Sequence, residues 1–194
     1  MKRATILARR RILDAFFRVD EAQVSYERYD GTMTPPVTRL VFERGDSAAA
    51  VVFHRERRDV LLAEQFRFPT LEKGPGWILE VPAGMVDSGE QPEATMRREI
   101  EEEIGYRVET IRPIATFYVS PGGSSERIWL FYAEVSEAGR VSDGGGSPSE
   151  AEDIRVVPVP LDQVSKRLED GEIVDAKTII GLQWLLRHED RHAA

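Results

Sequence analysis

Apolar and polar positions alternate in short runs over most of this chain, and the runs are separated by charged or glycine-containing turns. From about Ile12 to Phe42 the pattern is β-like: Phe17 and Val19, then Val24 to Tyr29, then Val37 to Phe42, with Asp30-Gly31 as a turn signal. Two or three strands with one apolar face need a partner surface, so this stretch reads as a small antiparallel sheet appended to a larger body. Glu43 to Asp46 breaks the pattern. Ala48 to Phe53 and Val60 to Phe66 then predict a hairpin, joined by the charged turn from His54 to Asp59. Trp77 to Val81, Arg107 to Phe117, Arg127 to Val135 and Ile154 to Val159 read as further strands. Leu161 to Leu168 and Ala176 to Leu186 carry a helical period. No internal repeat is visible, and the patterning alone predicts a mixed α/β fold.

Between the strand at Trp77 and the strand at Arg107 lies a loop that runs into a helix. Pro92 suits a first helical turn and Gly105 a left-handed stop, which predicts about 13 helical residues between them. Glu99, Glu102 and Glu103 stand at i, i+3 and i+4, on one stripe of a regular helix. Met96, Ile100 and Ile104 form an adjoining apolar stripe that can anchor it. Most acidic helix faces are simply solvated. Like charges this close repel, however, and a cation over them relieves the repulsion. Oxygen donors without Cys or His point to Mg2+ or a similar hard divalent ion.

Composition narrows the chemistry. The 194 residues fit one substantial domain or a domain with an appended piece, and 41% hydrophobic content supports a core. With 26 Lys and Arg against 34 Asp and Glu, the net charge is −8, which argues against general binding of nucleic acid or anionic membrane. An anionic substrate would need local cations or bound metal. There is no cysteine, so disulfides, thiolate catalysis and Cys-type zinc sites are excluded, and a reducing cytoplasmic location fits. The basic N-terminus lacks the apolar core of a secretory signal. The longest apolar run, Ala48 to Phe53, is far short of the about 20 residues that cross a bilayer. A soluble protein is expected.

The spacing around the acidic helix is specific. Gly84 is followed after five residues by Glu90, and after seven more by Arg98-Glu99-Ile100; Glu102-Glu103, Gly105 and Tyr106 complete the run. This resembles the Nudix box, GX5EX7REUXEEXGU, at every position except the last, where Tyr106 replaces an aliphatic residue in a packing role. The flanks Glu64 to Arg67, Leu79 to Gly84, Ser120 to Arg127 and Glu150 to Ile154 resemble the ADP-ribose pyrophosphatase branch of that family. Related GDP-mannose pyrophosphatases share a similar Ser-Pro-Gly loop around Pro121. The resemblance implies the Nudix fold, an α/β/α sandwich of mixed sheets, over residues 45–194, with residues 1–44 as an N-terminal β-sheet appendage.

The resemblance also implies roles. Glu99 and Glu103 would bind metal directly with the backbone carbonyl of Ala83, and Glu102 would assist; Mg2+ is the expected ion, with Mn2+ as a substitute. Gly84, Glu90, Arg98 and Gly105 would be structural, with Glu90 orienting the loop through an ion pair to Arg98. The general base would be a late carboxylate after the flexible Gly144 to Gly146 segment, Glu150 by preference, with Glu152 as its helper or a metal contact. Arg67 would reach a phosphate and Glu126 a ribose. Arg39 would help bind the base across a homodimer formed through the N-terminal sheet. His188 to His192 matches HExxH but is rejected as a zinc-peptidase site, because no third ligand follows and His54 is the one other histidine. The expected activity is Mg2+-dependent hydrolysis of ADP-ribose to AMP and ribose 5-phosphate, ahead of the same chemistry on another nucleoside diphosphate sugar such as GDP-mannose. A ligand sensor without turnover is disfavoured by the complete glutamate set.

Overall fold

A computed structural model describes residues 2–147 and 151–192, the side chains of 190–192 excepted; Glu150 lies outside the described residues. The chain divides into two compact units, Met1–Asp46 with Tyr118–Arg127, and Ser47–Phe117 with Ile128–Ala194. Among the described residues no helix is long and apolar enough to cross a membrane.

The first unit is built on an antiparallel sheet in the order β1 (Ala4–Asp14), β2 (Arg18–Tyr26) and β3 (Val37–Glu43). Its first strand starts well before Ile12, where the pattern placed the onset of β structure. Two register shifts, between Ile6 and Ala8 and between Arg11 and Leu13, break the two-residue alternation that would have marked it. The basic run is part of this strand. Arg10 Nε donates to Glu21 at 2.7 Å and Arg11 Nε to Asp20 at 2.9 Å, and Arg9 also pairs with the buried Asp20. The segment 118–127 joins this unit rather than the fold that follows it in sequence. The Phe42 N–H donates to the Gly123 carbonyl at 2.8 Å, and Ser125 Oγ donates to Glu43 at 2.6 Å.

The second unit is organised around β4 (Ser47–His54), whose eight residues are all buried. A strand covered on both faces must be apolar throughout, which is why it reads as a run rather than an alternation. Its antiparallel partners are β5 (Asp59–Phe66) and β7 (Ala83–Met85), and β9 (Arg127–Val135) lies parallel to it. Around them the sheet runs β10 (Arg155–Pro160), β5, β4, β9 and β8 (Thr110–Tyr118), and β6 (Trp77–Glu80) pairs with β5. The two-residue period divides β4 between two cores. Ala49, Val51 and Phe53 pack with Leu182 and Leu185 of α3 (Ala176–His192) and Val164 of α2 (Leu161–Glu169). Ala48, Ala50 and Val52 pack with Met96, Ile100, Ile104 and Tyr106 on the other face. This is the expected α/β/α sandwich. Tyr106 is buried in that second core and its hydroxyl accepts from Arg57 at 3.0 Å, so the bulky ring serves the packing role of the aliphatic residue it replaces.

The approach of α3 to the sheet is close enough to require a glycine. A Cβ on Gly181 would lie 2.5 Å from Cγ2 of the fully buried Val51. Gly181→Ala should gain about 1 kcal/mol in helix propensity but lose about 1–3 kcal/mol to overpacking against a branched side chain that cannot rotate away. A net loss of stability in urea titration is expected; a stabilised variant would show that α3 moves off the sheet at little cost.

Candidate active site

The site starts from the strand end that precedes the acidic helix. β7 pairs Ala48 with Gly84 and Ala49 with Ala83, which fixes the Ala83-Gly84 backbone at the sheet. The helix α1 (Pro92–Glu99) then packs against it so tightly that a Cβ on Gly84 would lie 2.0 Å from Oε1 of Glu99. A glycine is required there because the Glu99 carboxylate occupies the space a side chain would need.

The helix does not run on regularly to Gly105. Ile100–Ile104 form a π-turn, with the Gly105 N–H shared between the carbonyls of Ile100 and Glu101, at 3.1 Å from each. Gly105 itself has φ +84°, the left-handed stop that the sequence indicated. The wider turn splits the expected stripe of three carboxylates. Glu99 and Glu103 are turned inward, 9% and 1% exposed, whereas Glu102 stays at the surface. Arg98 bridges this division, 2.8 Å from Glu99 and 2.9 Å from Glu102. The expected Glu90–Arg98 ion pair is not formed. The i,i+4 spacing draws Arg98 over Glu102, and Glu90 reaches it only as a more distant Coulombic influence.

The segment from Gly144 to Gly146, read from its composition as a flexible connector, caps the π-turn. Gly145 and Gly146 N–H groups donate to the Glu103 and Glu102 carbonyls at 3.0 and 3.1 Å. These are carbonyls that a helix end leaves without an internal partner. The same tether carries Glu152, whose Oε2 accepts from the Ser147 N–H at 2.9 Å. Glu152 is half-buried and close enough to Glu99, Glu103 and Arg67 to act on all three electrostatically.

The outcome is a buried cluster of like charge. Burial pushes the Glu103 carboxyl up to about 8, and repulsion from Glu99 and Glu152 adds to it, against relief from Arg67 and the Ala83 N–H. Burial likewise pushes Glu99 up to about 7; Arg98 opposes the rise and Glu102 adds to it. Burial disfavours the charge of Arg67, but Glu80, Glu103 and Glu152 outweigh this and raise its pKa. Oε2 of Glu103 is buried without a hydrogen-bond partner. Among the described residues no group of three His, Asp or Glu side chains forms a ready-made cage. The donors at hand are therefore Glu99, Glu103 and neighbouring backbone oxygen. An orphaned buried carboxylate oxygen, a second carboxylate a turn away and an all-oxygen donor set fit a hard divalent cation. Such an ion would compete with Arg98 for Glu99.

Two further expected residues come from the other part of the chain. Arg39 and Glu126 belong to the first unit. Arg39 is exposed and donates to the Thr38 carbonyl at 2.9 Å, and the buried Glu126 is 3.6 Å from Arg44. Sequence reasoning missed Glu80, which accepts from Arg67 Nε at 2.7 Å, and Lys177, which binds the other oxygen of Glu80. The HExxH match is spent on packing: His188 stacks on Trp184 at 4.8 Å and meets Arg112 at 2.6 Å, and Glu189 pairs with Arg58 at 2.8 Å.

The raised carboxyl values set a pH dependence. Both groups hold their protons to higher pH folded than unfolded, so their contribution is fully present below about pH 4.5 and is lost as pH rises through about 7 and 8. Metal-free protein should show a melting temperature that falls between pH 5 and pH 9, and Glu103→Gln should flatten the fall. A melting temperature that rises over that range in the wild type would contradict the cluster as described.

Comparison with known proteins bears on this arrangement. The NUDIX domain model matches residues 43–180. The ADP-ribose pyrophosphatase of Escherichia coli (strain K12) is 38% identical over 184 residues, covering 94% of this chain and 88% of the relative. The GDP-mannose pyrophosphatase of Citrobacter koseri is 42% identical over 149 residues, 76% of each chain. A crystal structure of an ADP compounds hydrolase shares the fold with a TM-score of 0.73 at 21% identity, covering 98% of this chain and 96% of that one. With a family model over most of its length and the box residues gathered at the end of β7, the chain belongs to the Nudix family and is a Nudix hydrolase, in the branch of the ADP-ribose and GDP-mannose pyrophosphatases.

Proposed function

We propose that the protein hydrolyses the pyrophosphate bond of ADP-ribose, giving AMP and ribose 5-phosphate, with Mg2+ or in its place Mn2+. The observation that carries this reading is the pair of buried carboxylates, Glu99 and Glu103, beside the half-buried cation Arg67. The ADP-ribose reading draws on relatives aligned over nearly the whole chain, N-terminal sheet included. A second reading, GDP-mannose, is supported by relatives 42% identical over 149 residues and 35% identical over 183 residues.

Glu99 and Glu103, with the Ala83 carbonyl, would hold the cation and Glu102 would assist at the rim. The ion would supply charge neutralisation at the diphosphate and a lowered pKa for water. Arg67 would bind a phosphate oxygen. Water attacks one phosphorus, the bridging P–O bond breaks, and the departing phosphate carries the electron pair; the water's proton passes to a carboxylate. Glu150 or Glu152 is that base. Glu152 has support from its Coulombic reach to both buried glutamates. Gly84 and Gly105 shape the loop and helix end. Glu126 would hold the terminal ribose.

A homodimer through the N-terminal sheet, residues 1–44, belongs to the same proposal, with Arg39 reaching the base held by the partner. Support comes from the apolar side chains that the sheet exposes, among them Ile6, Leu7, Ile12, Leu13 and Leu40. Apolar side chains exposed in this number on a three-stranded sheet are what a second copy would cover.

Purified protein given ADP-ribose, GDP-mannose, ADP-glucose, UDP-glucose, NADH and a nucleoside triphosphate should release AMP fastest from ADP-ribose, with Mg2+ and not with chelator. Fastest turnover of GDP-mannose would replace the substrate and keep the mechanism, and tight binding without turnover would make the protein a sensor. Glu103→Gln should lower turnover by about 100-fold or more while leaving the fold intact; near-normal activity would overturn the metal assignment. Light scattering should return twice the chain mass, and a monomeric mass would refute the dimer.

A further inference from the structure

A second buried charge network lies behind Arg67, and it involves residues from the far end of the chain. Glu80, 3% exposed, is the last residue of β6. Its Oε1 accepts from Arg67 Nε at 2.7 Å, and its Oε2 accepts from Lys177 Nζ. Lys177, 9% exposed, stands in the first turn of α3 and also lies 3.1 Å from Asp175. Asp175 accepts from the Thr178 N–H at 2.9 Å and from the Thr178 hydroxyl at 2.6 Å. The Thr178 hydroxyl oxygen in turn accepts from the Val81 N–H at 2.8 Å. Lys177 is thus held by a capped helix start that is itself bolted to the strand leading into Ala83 and Gly84.

We infer that Lys177 is a positioning residue for Arg67, acting through Glu80 so that the guanidinium keeps its two terminal nitrogens for the substrate's phosphate. This rests on the phosphate-binding role proposed above for Arg67. A carboxylate and a guanidinium left alone pair through two parallel hydrogen bonds, which would engage Nε and one Nη together. Lys177 prevents that by occupying the second oxygen. The side chain of Arg67 is therefore gripped by Nε, and Glu103 and Glu152 act on the same guanidinium electrostatically. Two cations also balance Glu80 and Asp175, which is what allows Glu80 and Lys177 to be buried with their charges.

Lys177→Met removes the charge and keeps most of the length. Glu80 should then close on Arg67 with both oxygens, and KM for ADP-ribose should rise about ten-fold with kcat little changed, the pattern of lost ground-state binding. Lys177→Arg should restore KM to within about two-fold of wild type. In an Arg67→Met background the Lys177→Met change should add nothing to KM, because the group it positions is gone. An unchanged KM, or effects of the two substitutions that multiply, would overturn the inference and leave Lys177 a structural anchor of α3. If Lys177→Met does not fold, Lys177→Gln, which keeps a donor to Glu80 without the charge, serves in the same cycle. ADP affinity by calorimetry gives a readout free of turnover. Weaker ADP binding in Lys177→Met, restored in Lys177→Arg, would support the positioning role even if wild type cleaves none of the substrate panel, in which case only the proposed function fails.

Discussion

Two carboxylates buried against each other are the constraint on which the rest of this protein turns. Glu99 and Glu103 are held at 9% and 1% exposure on adjacent turns, with Glu152 acting on both. Each pKa unit by which such a group is raised corresponds to about 1.4 kcal/mol that ionisation must overcome. A fold seeking only stability would replace them with apolar side chains of the same volume. Instead the surrounding residues preserve the strain. Gly84 gives up a side chain so that Glu99 fits, the π-turn rotates Glu103 inward, and the loop around Gly145 ties off the carbonyls that the turn leaves open. The protein is thereby built to be completed by positive charge.

The scaffold fixes the place at which such a charge would sit. β4 is buried on both faces and divides its residues between a core shared with α2 and α3 and a core shared with the box helix. The strand end carrying Ala83 and Gly84 is paired to β4 on one side and bonded to α3 through Val81 and Thr178 on the other. Helices on opposite faces of the sheet are thus coupled through a few backbone atoms next to the acidic cluster. Arg67 is held by Glu80, which Lys177 of α3 also binds, so the cation and the backbone at Val81 share α3 as their support.

Much of this was legible in the sequence wherever the determinant was local. Pro92, Gly105 and the fixed offsets of Glu90, Arg98, Glu99, Glu102 and Glu103 specify a loop, a helix and its stop within a single stretch. The hairpin of β4 and β5 followed from two apolar runs and a charged turn; the order of the elements reached only a mixed α/β fold, and the α/β/α sandwich was implied by the resemblance of the box and its flanks. The π-turn was not legible, because an i→i+5 bond changes which side chains turn inward without changing composition. The strand from Ala4 was hidden by two bulges that break its alternation. The Glu80–Lys177 contact joins residues 97 positions apart, and only the packing of α3 brings them together. Arg98 was paired with the wrong glutamate because a motif records spacing, whereas the ion pair depends on which carboxylate the helix places nearest.

With pKa values pushed up to about 7 and about 8, Glu99 and Glu103 carry protons near neutral pH that a bound divalent cation would have to displace. Calorimetric titration of the metal-free protein with Mg2+ at pH 7, repeated in buffers of different ionisation enthalpy, measures this directly. Release of about one proton per chain is expected on binding, reduced in Glu103→Gln to the smaller share that Glu99 still carries. Binding of Mg2+ without proton release, or release unchanged in Glu103→Gln, would contradict it.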